Sequence, residues 1–468
     1  MDNPKHLHAV AVIATVLVTL CASCMQPEWN RELPPSADLG RPRGYRIART
    51  LVHTHSPISY DACDKKGVSD AANAKTCLDQ LRYSFCANRF DYAFITDHPN
   101  KMVDYNFDDL LLFRQNENDT LVYGSDGPVA NRMNCPGGHK TMILAGFEDR
   151  LVALGMTRHI GATADERNGV YTGENIETAV SLRTNANAIV SIPHTESRSL
   201  DLLRSVKPDV IEIINIHASI DPKIRGQYLR QDYFEGIIDM VVNWIDPYSE
   251  QEPDLAFLAF LNFSPVYFEK WNTLLNEGMH IAPIAATDSH QNALTWTDRY
   301  DERLDSHRRL GRWLSNHYLL LGDDPGHVKS AVKYGRGWIV MEGLGTPVGM
   351  DFYAETAGGG YTNPGESVTL VPGKTFLKVK LPWLHPDSPS SGDLPEIKIL
   401  LRKIVSDGSE AIVARTTNED LTWEVKDRGI YRAEVTILPQ HLKGFLNYKK
   451  DDYMRETTWI ITNNIFVE

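Results

Sequence analysis

Positive charge is in short supply in this chain: 48 Lys and Arg stand against 61 Asp and Glu over 468 residues, a formal net charge of −13. A protein that grips nucleic acid by its backbone needs a basic face, so no duplex partner is expected. A local basic pocket for a small phosphate is still allowed. Long apolar runs are also scarce. The run at residues 9–20, "AVAVIATVLVTL", falls short of a membrane span, which needs about 20 residues, and suits the core of a signal peptide. What remains is a soluble globular composition, 42% hydrophobic and 23% charged, too long for one ordinary core, so two folded units are expected.

The apolar run is followed by "CASCMQ", with Ala22 and Ser23 directly before Cys24. Small residues before a Cys resemble a bacterial lipoprotein cleavage site, whose cysteine becomes the lipid-bearing N-terminus; a plain cleaved signal peptide is the alternative. Either way the chain is expected to be exported to the periplasm or outer surface, with residues 1–23 removed, a membrane partner through Cys24, and 24–45 serving as a Pro-rich tether. Setting Cys21 and Cys24 aside leaves Cys63, Cys77, Cys86 and Cys135. These four lack the CxxC pairs of a structural zinc site, and an even number in an oxidising compartment predicts two disulfides; three pairings are open.

The informative presence is at the ends of apolar runs. "RTLVHTH" (49–55) ends in His53 and His55, and "YAFITDH" (92–98) in Asp97 and His98. "TMILAGFE" (141–148) ends in Glu148, and "LGMTRHIGA" after it carries Arg158 and His159. "NAIVSIPHTE" (187–196) reaches His194, "VIEIIN" (210–215) ends in Asn215 with Glu212 inside it, and "IAPIAATDSH" (281–290) ends in Asp288 and His290. Helical spacing separates the runs, as in 176–186 and in 268–278, which stops at Gly278. Strands alternating with helices predict parallel strands whose C-terminal ends share one mouth. Imidazoles and carboxylates gathered there are ligands for zinc, manganese or iron. An HxH pair on a regular strand sends both rings to one face, because side chains alternate with period two. The number of ligands exceeds the needs of one ion, so two or three divalent ions are expected. No run ends in Lys, which argues against barrels that use a carboxylated lysine to cleave C–N or C–O bonds.

Taken in order, "HTHS", "ITDH", "GFE", "RHIGA", "IPH" and "ATDSH" resemble the motifs of the PHP (polymerase and histidinol phosphatase) superfamily of metal-dependent phosphoesterases, over about residues 49–340. The resemblance implies an α/β fold, a distorted (β/α)7 barrel with up to three metals. It implies His53, His55 and Asp288 on the first metal, with Glu148 bridging to a second completed by His159 and His194. The third would take His98, His290 and Asp61, with Asp64 as the fallback, since no "SDG" follows HTHS as it does in many members. Asp97 would orient a ligand histidine, and Arg158 and His217 would contact phosphate. The implied reaction is hydrolysis of a small phosphate ester by a water bridging two metals. The stretches between HTHS and ITDH and at 115–140 are long, and both are expected over the mouth, where they would shape substrate choice.

Beyond residue 345 the pattern alternates with period two, as in "FLKVKLPWL" (376–384), "EIKILLRKI" (396–404), "IYRAEVTIL" (430–438) and "TWIITNNIFVE" (458–468). This predicts a small β-sandwich over 346–468, separate from a metal-binding barrel at 46–345. His385 and His441 read as exposed loop histidines. The main alternative to an enzyme is a catalytically silent barrel acting as an envelope binding or scaffold protein; a silent barrel would be expected to have lost ligands.

Overall fold

A computed structural model describes residues 28–244, 251–261, 263–446 and 450–468. Cys24 and the expected signal peptide lie outside the described residues. The fold is mixed α/β, with one large sheet and further small antiparallel sheets toward the C-terminus.

Nine strands carry the first unit: β1 Arg46–Thr54, β2 Tyr92–Asp97, β3 Lys140–Glu148, β4 Val152–Leu154, β5 Ile189–Ile192, β6 Val210–Asn215, β7 Ala282–Ala286, β8 Ser315–Leu320 and β9 Gly337–Val340. Parallel pairings join β1 to β2, β2 to β3, β5 to β6 and β6 to β7. A parallel bridge between Thr54 and Ser289 brings the end of the β7 segment back to β1. The expected all-parallel order fails twice. β8 runs antiparallel to both β1 and β9, and a second reversal lies between β3 and β5. β4 runs antiparallel to both β3 and β5. Gly146 allows that reversal, because a Cβ there would lie 2.0 Å from the Ala153 carbonyl oxygen.

Period-two alternation sorts the strand side chains into two packed sets. Ala48, Val52, Phe94, Leu144, Val152, Ile189 and Ile284 share a cluster with Val328, Ala331 and Val332 of helix Pro325–Tyr334. Their neighbours Ile47, Leu51, Ile95, Ala145, Val190 and Ile211 pack in the larger core with helices such as Ala71–Ala87 and Pro265–Asn276. The second of these begins with the Ser264 hydroxyl accepting from the Val266 N–H and with Pro265 in the first turn; Gly278, at φ 85°, follows its end.

The two disulfides pair Cys63 with Cys77 and Cys86 with Cys135. The first insertion lies at the ligand-bearing end, where the Cys63 and Asp64 N–H groups donate to the carbonyls of His290 and Gln291. The second does not cover that end. Its hairpin, Thr120–Tyr123 with Pro128–Asn134, pairs onto the first half of β3, beside the place the short β4 leaves free.

The sheet does not stop at residue 345. β9 pairs antiparallel with Thr457–Thr462, which continues through Gly429–Leu438 and Glu396–Ile404 to Glu410–Thr417. A second antiparallel sheet orders Tyr361–Thr362, Asp351–Glu355, Phe376–Lys380 and Leu421–Glu424. One layer of C-terminal strands is therefore an extension of the first unit's sheet, while the other forms a separate antiparallel sheet, so the expected sandwich is joined to the first unit by strand pairing. Two further expectations need correction. His441 and His385 are buried, and His441 Nε2 lies 3.0 Å from the Leu344 carbonyl. The segment expected as a tether packs from Trp29 onward: Trp29, Leu33 and Leu39 are buried, and the Trp29 indole N–H donates to Asp254 at 2.9 Å.

Candidate metal centre

The ligand-bearing ends of β1, β2, β3 and β7 meet in one buried cluster. Among the described residues, two sets of four could each hold a cation: His53, His55, Glu148 and Asp288, and His55, Asp61, His98 and His290. In the first, His53 Nε2 lies 3.2 Å from Glu148 Oε2 and 3.3 Å from Asp288 Oδ1, while His55 Nε2 is 3.4 and 3.3 Å from the same two atoms. In the second, Asp61 Oδ2 sits 3.2 Å from His98 Nε2 and 3.3 Å from His290 Nε2. His55 belongs to both sets, its ring stacked on His290 at 3.8 Å between centroids. His194 reaches the same space, with Nε2 3.3 Å from Asp288 Oδ2 and 3.6 Å from Glu148 Oε1.

Regular alternation is not what aims His53 and His55 together. The register of β1 on β2 slips between Val52 and Thr54, so His53 is the extra residue of a bulge and sits at φ 60°. A bulge re-aims a side chain, and this one turns the His53 ring onto the acids that His55 also faces.

Four of the five rings are held by neighbours through their other nitrogen; His55 Nδ1 is buried without a hydrogen bond. His98 Nδ1 donates to the Glu148 carbonyl at 2.8 Å and His290 Nδ1 to the Asp288 carbonyl at 3.0 Å. His53 Nδ1 meets Glu212 at 2.5 Å, and His194 Nδ1 meets Glu196 at 3.1 Å. The Nε2 atoms of these four rings are thereby turned inward. Asp97 is buried, but its partners are the Ser56 N–H and hydroxyl, both at 2.6 Å. It braces the turn after His55 instead of gripping a ligand ring.

A metal fits this donor set. His53 Nε2, His55 Nε2, His290 Nε2 and Asp288 Oδ1 are all buried and make no hydrogen bond. Buried polar atoms left without partners are costly, so four of them facing one another are accounted for by a cation. Electrostatics agree. Burial alone would lower the imidazoles, but Asp61 and Glu148 hold His98 at about 9, and Glu196 with Asp288 and Glu148 holds His194 at about 10. Burial would raise the carboxylates, yet His53 keeps Glu148 and Asp288 well below the usual range, and His290 and His98 do the same to Asp61. The acids that raise these imidazoles are the charge that a bound cation would balance in place of protons.

Two residues assigned to this site are set apart from it. Because β4 runs backward, the chain after Leu154 returns toward the other end of the sheet. Arg158 emerges there, exposed, with Nη1 2.9 Å from Asp126 and Nε donating to the Asn185 carbonyl. His159 has both nitrogens engaged, Nδ1 at 3.0 Å from the Tyr171 hydroxyl and Nε2 at 3.1 Å from the Tyr105 carbonyl. Burial and the nearby Arg167 lower it to about 4, so it is neutral at pH 7, and its ring packs against Phe107 and Tyr171 rather than against the cluster. Asp64 is bound by Arg303, at 2.7 and 2.9 Å. His217 lies beside the cluster, its ring centroid 5.7 Å from that of His290 and 6.5 Å from that of His194. Glu212 and Glu196 are the polar residues that the strand-end reading passed over. Only the polarity of Glu212 inside the otherwise apolar "VIEIIN" signalled it.

No family model matches the sequence, and no curated protein does. Among solved structures, a two-domain protein containing a predicted PHP-like metal-dependent phosphoesterase from Bacteroides vulgatus is similar over 94% of this chain and 99% of that one, at 10% identity and a TM-score of 0.32. Likeness of that size transfers nothing between the two chains, and the metal centre rests on its own residues.

Proposed function

We propose that this chain is a metal-dependent phosphoesterase of the PHP type, hydrolysing a small phosphorylated substrate at a di- or trinuclear centre. The pairings that return from β7 to β1 support reading the first unit as a distorted seven-stranded barrel with its mouth at the cluster. The observation that carries the function is the set of four buried, unpartnered ligand atoms on His53, His55, His290 and Asp288, facing the Glu148 and Asp61 carboxylates.

Divalent ions of zinc, manganese or iron held there would supply a nucleophilic water at neutral pH and offset the charge of a phosphate. His53, His55, Glu148 and Asp288 would hold one ion; Asp61, His98 and His290, with His55 between the sets, would hold another. Glu148 can serve two ions, because Oε2 faces His53 and His55 while Oε1 faces His194. A third ion would draw on His194, with no help from His159. His217, which burial keeps below its ordinary value, offers a neutral ring at the edge of the cluster to a phosphate oxygen. Asp97 keeps the His55–Ser56 turn in place. A silent binding barrel is less well supported, because every ligand-bearing motif except "RHIGA" delivers a side chain to the cluster.

The test is a panel of phosphomonoesters and phosphodiesters offered to chelator-stripped and metal-reloaded protein. Hydrolysis that appears only on reloading is expected. Stoichiometric metal with no turnover of any ester would favour the silent barrel. The two disulfides suit an oxidising compartment, and among the described residues no helix is long and apolar enough to cross a membrane. We propose export with lipid attachment at Cys24; Cys24→Ser should leave the membrane fraction, and its retention there would refute the anchor.

A further inference from the structure

β6 sends no ligand to the cluster, yet its two polar residues touch three ligand residues. Glu212 is fully buried. Its Oε1 lies 2.5 Å from His53 Nδ1, and its Oε2 accepts from the His194 N–H at 3.0 Å and from Asn215 Nδ2 at 3.2 Å. The same Asn215 amide nitrogen is 3.4 Å from Asp288 Oδ2. Its orientation is set by its other end, since Asn215 Oδ1 accepts from the Ala218 N–H at 2.9 Å and caps a helical turn.

The three residues touched share an uncommon backbone. His53, His194 and Asp288 have φ of 60°, 51° and 49°, and they are the ones in the cluster with positive φ. Left-handed backbone at a non-glycine residue is uncommon and persists where the surroundings over-determine it.

We propose that Glu212 is a positioning residue for the metal centre: its carboxylate fixes His53 with the proton on Nδ1 and the Nε2 lone pair toward the metal, and with Asn215 it holds His53, His194 and Asp288 in their left-handed conformations. The proposal rests on the metal-binding reading above. A carboxylate only accepts, so the His53 nitrogen against it must donate, and the free lone pair falls on Nε2. Glutamine cannot reproduce this. Its NH2 would face either the two donors of His194 and Asn215, or His53 Nδ1. In the second case Nδ1 becomes the acceptor and the proton moves to Nε2, where it blocks coordination.

The experiment compares zinc binding by wild-type and Glu212→Gln protein, with two-bond proton–nitrogen correlation spectra of the His53 ring in zinc-loaded wild type. Zinc affinity about 10–100-fold weaker in the variant is expected, with a protonated Nδ1 on His53 in the wild type. Equal affinity in a folded variant, or a proton on Nε2 of the zinc-loaded wild type, overturns the inference. The spectrum decides it even where the variant does not fold. A wild-type protein that takes up no zinc, manganese or iron refutes the metal reading itself, and is recognised before the variant is measured.

Discussion

Two buried clusters of charge can be set side by side. Around Asp254 every carboxylate lone pair is used: Oδ1 accepts from Arg308 and, at 3.0 Å, from Arg309 Nε, while Oδ2 accepts at 2.9 Å from Arg308 Nη1 and from the Trp29 indole. Asp288 is buried to a similar degree, but its Oδ1 takes no hydrogen bond and looks at the Nε2 atoms of His53 and His55. The Asp254 carboxylate is satisfied by protein donors alone, although Arg312 beside it keeps two buried nitrogens without a hydrogen bond, and the cluster locks the 28–39 segment to helix His307–Trp313. The second cluster is complete only with a cation. Buried charge by itself therefore does not mark a functional site; unfilled, mutually facing ligand atoms do.

The largest expected effect breaks the first cluster. Asp254→Asn leaves three buried guanidinium groups, those of Arg308, Arg309 and Arg312, short of counter-charge and should cost about 3–5 kcal/mol of stability. Denaturant unfolding reads this loss, and zinc per folded molecule should be unchanged. Glu148→Gln should do the reverse. Hydrolysis should fall at least about 10²–10³-fold, as on removing a group that supports transition-state charge, and metal content should drop. The unfolding midpoint of the metal-free protein should move far less than in Asp254→Asn. Full metal content and near-normal turnover in Glu148→Gln would end the two-ion reading of Glu148.

pH sharpens the contrast. His98 and His194 are held at about 9 and about 10, above the ordinary histidine value. Groups raised in this way stabilise the folded metal-free chain below about pH 6.5, and that contribution is lost as pH climbs through 9 to 10. Metal competes with the same protons, so its apparent affinity should rise with pH and binding at pH 7 should release protons. Chelator-treated protein should accordingly lose thermal stability between pH 7 and 10, while metal-loaded protein loses less. Parallel melting curves for the two forms across that range would contradict the assignment of these rings to the centre.

Much of the strand layout could be read from the sequence because period-two and 3.6-residue patterns survive wherever one face is buried. Val210–Asn215 and Glu396–Ile404 begin and end where the patterns place them. What escaped was geometry that patterns do not encode. β4 is three residues long, too short to show a direction, and its reversal carried Arg158 to the wrong end. The bulge at His53 is invisible because an HxH pair looks alike on a regular or a bulged strand. Burial of His441 depends on the Leu344 carbonyl, nearly a hundred positions away. Continuity of the sheet across residue 345 is a pairing of β9 with a strand more than a hundred residues later, which no local pattern announces.

The smallest expected effects test where the second cluster ends. His159 and His194 both come from motifs that supply ligands in the superfamily this sequence resembles, but only His194 points a nitrogen at Glu148 and Asp288. His194→Gln should lower metal content. His159→Gln should leave it unchanged, since the ring's two nitrogens are engaged by Tyr171 and Tyr105 and its low proton affinity needs no carboxylate partner. Arg158→Ala removes an exposed pair with Asp126, and such pairs contribute little. Its hydrolysis rate and stability should stay within about twofold of wild type. Metal analysis of the two histidine variants separates the cases. Loss of metal in His159→Gln equal to that in His194→Gln would mean that the loop after β4 swings into the centre when metal binds, and that the boundary drawn between His159 and the cluster belongs to the metal-free chain alone.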